Sequence, residues 1–118
     1  MPENKYLNDQ RPVLEIIEEQ GNESFSKRRG QIRVSKSFLD GARPEFLVLL
    51  FERFFPLYVD HRELYVHQDL IYQGFSPHFD ENDPATVLPS YEFFFRSVEQ
   101  EGEPTKYLFD KVERIEPI

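Results

Sequence analysis

The chain lacks cysteine and tryptophan and has one methionine and five glycines in 118 residues. The absence of cysteine excludes disulfides, thiolate metal sites, iron–sulfur ligation and cysteine nucleophiles. The glycines, Gly21, Gly30, Gly41, Gly74 and Gly102, are isolated, so neither a Walker loop nor a dinucleotide fingerprint can be assembled from them. No serine stands in a G-x-S-x-G elbow. The longest apolar run, Phe46 to Phe51, is six residues and too short to cross a bilayer. No charged-then-apolar leader opens the chain, so the expectation is a cytoplasmic protein with no membrane partner and no cofactor.

What is present fits a packed globular domain. Hydrophobic residues make up 39% and charged residues 31%, and aromatics reach 15% through twelve Phe and six Tyr. The length suits one domain over 1–118. Residues 1–11 are polar and read as frayed. From Pro12, the positions Val13, Ile16, Ile17 and Gln20 share a helical face, with Glu15, Glu18 and Glu19 outward and Gly21 as the stop. Ile32 and Val34 alternate with Arg33 and Ser35, which predicts a short strand over 31–35. Ser35 or Ser37 is placed to cap a helical turn carrying Phe38 and Leu39, and Asp40-Gly41 reads as a stop.

Pro44 begins the strongest helical pattern, 44–55, so apolar that burial over most of its circumference is expected, with Pro56 ending it. Beyond it the period becomes two. Leu57-Tyr58-Val59 reads as a strand, Asp60 to Glu63 as a turn and Leu64 to Tyr72 as a second strand. The long segment 76–90, with Pro77, Pro84, Pro89 and the acidic run 80–83, reads as a functional or mobile loop. Tyr91 to Val98 and Tyr107 to Ile115 read as a hairpin. The expected fold is α+β, with one or two helices packed on a three- to five-stranded, mainly antiparallel sheet. The other sheet face, bearing some of Tyr65, His67, Ile71, Phe93 and Phe95, is expected to stay partly open.

Acidic residues outnumber basic ones by 22 to 14, a net charge of −8. Six of the basic residues, Lys27, Arg28, Arg29, Arg33, Lys36 and Arg43, fall in one segment opposed only by Asp40, leaving the remainder with eight basic and 21 acidic residues. Such a block docks on the chain's own acidic surface or marks an interaction segment.

Three functional readings follow. The first is a non-enzymatic, acidic binding or regulatory protein of inhibitor, immunity or adaptor type that occludes a protein partner. Its expected contacts are Arg28, Arg29, Arg33, Lys36, Tyr65, Tyr72 and Tyr91, on segments 24–39 and 76–90 and the neighbouring strands. The second is nucleic-acid binding through the basic segment 27–36, with Phe25 and Phe38 stacking on bases. The third is a small metal-dependent or general-base enzyme using His67, Asp69, His78 and Asp80, which requires those groups to converge in a cleft. The apolar helix and aromatic strands also raise the expectation of a homodimer.

Overall fold

The computed structural model describes residues 4–35, 41, 44–64 and 67–116, the side chains of residues 35, 60–64 and 67–69 excepted. Three helices and five strands lie among them: α1 (Val13–Gln20), α2 (Asn22–Ser26), β1 (Arg29–Ser35), α3 (Pro44–Arg53), β2 (Phe55–Leu64), β3 (His67–Phe75), β4 (Ser90–Val98) and β5 (Lys106–Ile115). The strands form one sheet in the order β2-β3-β1-β4-β5. All neighbours are antiparallel except β1 and β4, which run parallel and share two paired positions, Gln31 with Ser90 and Ile32 with Tyr91. The α+β expectation holds, with helices packed on a mixed, mostly antiparallel sheet. The smallest extent, 21 Å, leaves room for about two layers.

α1 begins and ends as its punctuation dictates. The Pro12 carbonyl accepts from the Glu15 and Ile16 amides, and Gly21 takes φ 85° while its amide bonds back to Ile17. Val13 and Ile16 are its buried residues. The Gly21 carbonyl then accepts from the Phe25 amide, which opens α2 without a gap. Phe25 projects from α2 against Phe55 and Phe75, at ring separations of 5.6 and 5.7 Å.

α3 is shorter and less buried than its pattern predicts. It ends at Arg53, and Leu50 is its buried residue, while Val48 is 57% exposed. Phe46 packs on Phe95 and Tyr107, Phe51 on Tyr72, and Phe54, just past the helix, on Phe79 and Phe93. One sheet face is enough to serve these rings, so the opposite side of the helix remains outside the core. Pro56 does not stop the helix; it lies within β2, at a bulge. Register there runs from Pro56–Gly74 to Tyr58–Gln73, which makes Leu57 the extra residue. A proline suits this place, because an edge strand can spare an N–H.

The turn expected at 60–63 is strand. β2 continues through Asp60 to Leu64, in register with Ile71 to His67 of β3. Charged residues end the apolar alternation there, but an edge strand tolerates them. Tyr65, Lys36 and the expected helical turn at Phe38 and Leu39 lie outside the described residues.

The core sits between α3 and the face formed by Ile32, Val34, Tyr91, Phe93, Phe95, Phe109 and Val112. Phe93 and Phe95 therefore face the helix rather than the open side. Ile71, in register with Arg33, lies on the opposite face and is nonetheless fully buried. A second bulge keeps the β4–β5 alternation in phase: Phe94 pairs with Lys111 and Phe95 with Phe109, so Asp110 is the extra residue.

Close packing fixes two glycines. A Cβ on Gly30 would lie 2.8 Å from the Phe79 ring, and one on Gly74 would lie 2.0 Å from the Phe55 carbonyl oxygen. The Gly74 neighbour is backbone and cannot step aside. Gly74→Ala is therefore expected to detach β2 and cost more than about 3 kcal/mol, against about 1 kcal/mol for Gly102→Ala, where only the positive φ opposes the change. Urea unfolding of the two variants beside the parent checks the order, and hydrogen exchange confined to β2 checks the cause. Phe79→Ala should cost about 3–5 kcal/mol by the same measurement, since its ring is fully buried.

Candidate functional site

The long segment after β3 divides into two parts. Ser76, Pro77, His78 and Phe79 are fully buried, contrary to a mobile loop, and only the part from Asp80 onward meets solvent. The Phe79 ring stacks on Tyr91 at 4.2 Å over the space left by Gly30. His78 stacks on Phe109 at 4.9 Å. The Phe79 carbonyl accepts from Arg28 Nη1 at 2.6 Å and from Asn4 Nδ2 at 2.9 Å, while Asn4 also donates to the Pro77 carbonyl.

Residues 4–11, expected to fray, form a strap instead. Tyr6 is buried beneath Arg28, whose guanidinium lies 5.5 Å from the ring. His78 Nδ1 donates to the Tyr6 carbonyl at 3.0 Å, so the neutral ring leaves Nε2 as a buried acceptor without a partner. Asn8 Oδ1 accepts from the Val112 amide of β5, and Gln10 Nε2 donates to the Asp110 carbonyl at 2.8 Å. Arg53 Nη1 donates to the carbonyls of Asp9 and Arg11. Arg11 in turn pairs with Asp9 and Glu19. The strap contains no apolar period; its sequence signal is a spacing of amides and one tyrosine, which no local rule reads.

The basic segment docks largely on the chain itself. Arg28 is 8% exposed and faces Glu81 at 3.8 Å in addition to Phe79 and Tyr6. Arg29 donates to Asn82 Oδ1 and the Asp83 carbonyl, and Asn82 returns a bond to the Arg29 carbonyl. Ser24 bonds Glu81 on the same side. Arg33 is exposed on β1. Tyr72 is half-buried against Phe51. Tyr91 is buried, and its hydroxyl accepts from the Asp80 amide and donates to Asp80 Oδ2, which also faces Arg114. Burial raises the Tyr91 pKa above the ordinary tyrosine value. Arg28 and Tyr91 therefore act inside the fold and leave little of their surface to solvent.

The four residues of the enzymatic reading do not meet. His67 and Asp69 open β3, whereas His78 and Asp80 follow its far end, and the intervening strand spans roughly 27 Å. His78 contacts Tyr6 and Phe109, and Asp80 contacts Tyr91 and Arg114. Among the described residues no three His, Cys, Asp or Glu side chains gather where they could hold a metal ion. A shallow cleft of about 320 Å³ lies beside Lys27, Glu81, Asn82, Asp83 and Pro84, where both charge signs line the same wall.

The two edges of the sheet differ. The strap serves β5 through Asn8 and Gln10. On β2 the residues Leu57, Tyr58 and Val59 are 70%, 57% and 48% exposed. Sequence reasoning placed these residues in a strand but could not place the strand at an edge.

Burial lowers the His78 pKa to about 4; the bond to Tyr6 opposes this and the Arg53 charge adds to it. The unfolded chain, with a histidine near pH 6.5, therefore takes up this proton first. Stability should be complete above about pH 6.5 and fall by about 1.4 kcal/mol per unit as pH drops toward 4. Asp9 and Glu19, both lowered chiefly by hydrogen bonds from Arg11, add acid sensitivity only below the ordinary carboxylate range. Urea midpoints at pH 7, 6 and 5 test this. His78→Phe should be less stable at pH 7, because the Tyr6 carbonyl loses its donor, yet nearly flat between pH 6.5 and 5.

No helix among the described residues is long and apolar enough to cross a membrane. Comparison of the chain with protein-family models, curated proteins and solved structures finds no significant match.

Proposed function

We propose that this chain is an acidic, non-enzymatic binding protein that recognises a protein partner through the β2 edge and acts by covering part of that partner's surface. The observation that carries the reading is the asymmetry of the sheet: β5 is bonded at Asp110 and Val112 by the chain's own strap, and β2 displays Leu57, Tyr58 and Val59 to solvent. An exposed apolar edge stretch is a template for another chain, and Pro56, the bulge and the charged residues from Asp60 onward confine that stretch to Tyr58 and Val59. The bulge at Leu57 interrupts pairing at one end and leaves the stretch from Tyr58 onward regular.

The internal use of Arg28 and Arg29 weighs against nucleic acid as the partner, because it removes two of the cations on which phosphate binding would depend. The separation of His67 and Asp69 from His78 and Asp80 weighs against catalysis at those groups.

The test is capture from the native host with the tagged full chain, a Tyr58→Lys/Val59→Asp double variant and Leu14→Asp, the last altering an exposed leucine on α1. The parent and Leu14→Asp should retain the same protein, and the double variant should lose it. Retention by the double variant overturns the edge reading. Recovery of nucleic acid that washes off at raised salt supports the alternative.

A further inference from the structure

Past the bulge, β2 runs in unbroken register with β3 from Tyr58, opposite Gln73, to Leu64, opposite His67. Pro56 and the bulge end this stretch on one side, and the hairpin into β3 ends it on the other. His61 is its midpoint, and the order of residues about His61 is self-complementary. One step out stand Asp60 and Arg62, of opposite charge, and three steps out stand Tyr58 and Leu64, each with a large apolar body. Within the sheet Arg62 is in register with Asp69, whereas Asp60 is in register with Ile71, so β3 sets no cation opposite Asp60.

The inference rests on the β2 edge being open, as in the reading above, but its occupant is set by the order of residues along the strand. We infer that β2 pairs antiparallel with β2 of a second copy, about a two-fold axis at His61, so that two sheets join into one. Directly opposed residues of such a pair share a face, so only residues an even number of places apart can meet. With the axis at His61, Asp60 stands opposite Arg62 of the second copy at two symmetry-related places, and Tyr58 stands opposite Leu64 at both ends. An axis at Asp60 or at Arg62 would set that charge opposite its own copy, which is destabilising. On the other face Val59 meets Glu63, and His61 meets its own copy, both imidazoles being neutral above the ordinary histidine pKa. Main-chain bonds supply the affinity, and charge selects the register. Each body carries a net charge of −8, but exposed charges are screened beyond about 8 Å at physiological ionic strength, whereas opposed residues of the pair lie about 5 Å apart. The dimer covers the edge that a partner needs, so copy and partner compete for β2.

Sedimentation of the full chain over a concentration series, at pH 8 and physiological ionic strength, tests this. A monomer–dimer equilibrium is expected. Asp60→Arg and Arg62→Asp should each weaken the dimer roughly tenfold, because like charges then meet twice, and Leu14→Asp should leave it unchanged. An equal mixture of the two charge variants should recover it, since Asp60→Arg in one copy and Arg62→Asp in the other restore both complements. Circular dichroism confirms that the variants fold. The chain has no cysteine, so His61→Cys supplies a single thiol. On the axis two such thiols lie within disulfide reach, and mild oxidation should link the copies, whereas Tyr58→Cys should remain unlinked. A strict monomer, a dimer indifferent to both charge changes, no recovery on mixing, or failure of His61→Cys to link would each overturn the inference. If the chain is monomeric while capture of the host protein still depends on Tyr58 and Val59, the partner reading stands and self-pairing falls. If the dimer behaves as described while capture ignores those residues, self-pairing stands and the partner reading falls.

Discussion

Irregular backbone can be buried only when its polar groups find partners, and that constraint organises this molecule. The Ser76–Phe79 turn fills the core where a helix or strand would bring its own ladder of bonds. Its carbonyls are met from elsewhere: Phe79 by Arg28 and Asn4, Pro77 by Asn4. Its amides fold inward, with His78 and Phe79 donating to Ser76. Removing either external donor would leave a buried carbonyl half-served, a loss larger than the worth of an ordinary hydrogen bond. The strap, the start of β1 and the turn are thus one unit, although Asn4 and Phe79 lie 75 residues apart.

This unit also decides what the surface offers. Because Arg28 and Arg29 are drawn inward to serve the loop, the body that remains toward solvent is acidic. Because the strap bonds β5 at Asp110 and Val112, while Leu57, Tyr58 and Val59 of β2 meet solvent, the two margins of the sheet differ. The two effects arise from the same stretch of contacts, so the charge of the molecule and its available edge are set together by internal packing.

Legibility in the sequence follows the range of the forces involved. α1 could be read because its period, Pro12 and Gly21 are all local. β4 and β5 could be read because alternation survives even their bulge, Asp110 taking up the extra place without changing the phase of Tyr91, Phe93 and Phe95. α2 was hidden because five residues, Asn22–Ser26, are too few for a period. The second half of β2 was hidden because its charged residues resemble a turn. The strap and the buried turn were illegible for a different reason: their burial depends on partners tens of residues away. The candidate edge had the same defect. Leu57, Tyr58 and Val59 read as a strand, but their position at the margin depends on β1 inserting between β3 and β4, which nothing near residue 57 encodes.

That insertion bears on how the chain reaches its native state. β2 with β3 and β4 with β5 close as neighbours in sequence, whereas β1 joins β4 across about sixty residues through two paired positions. Loop closure must come before such distant contacts return any free energy, so the two ribbons are expected to form early and to unite late. The joint between them is then the last to set and the first to yield under tension, and Phe79, wedged over Gly30 and Tyr91 beside it, is the latch that holds it shut.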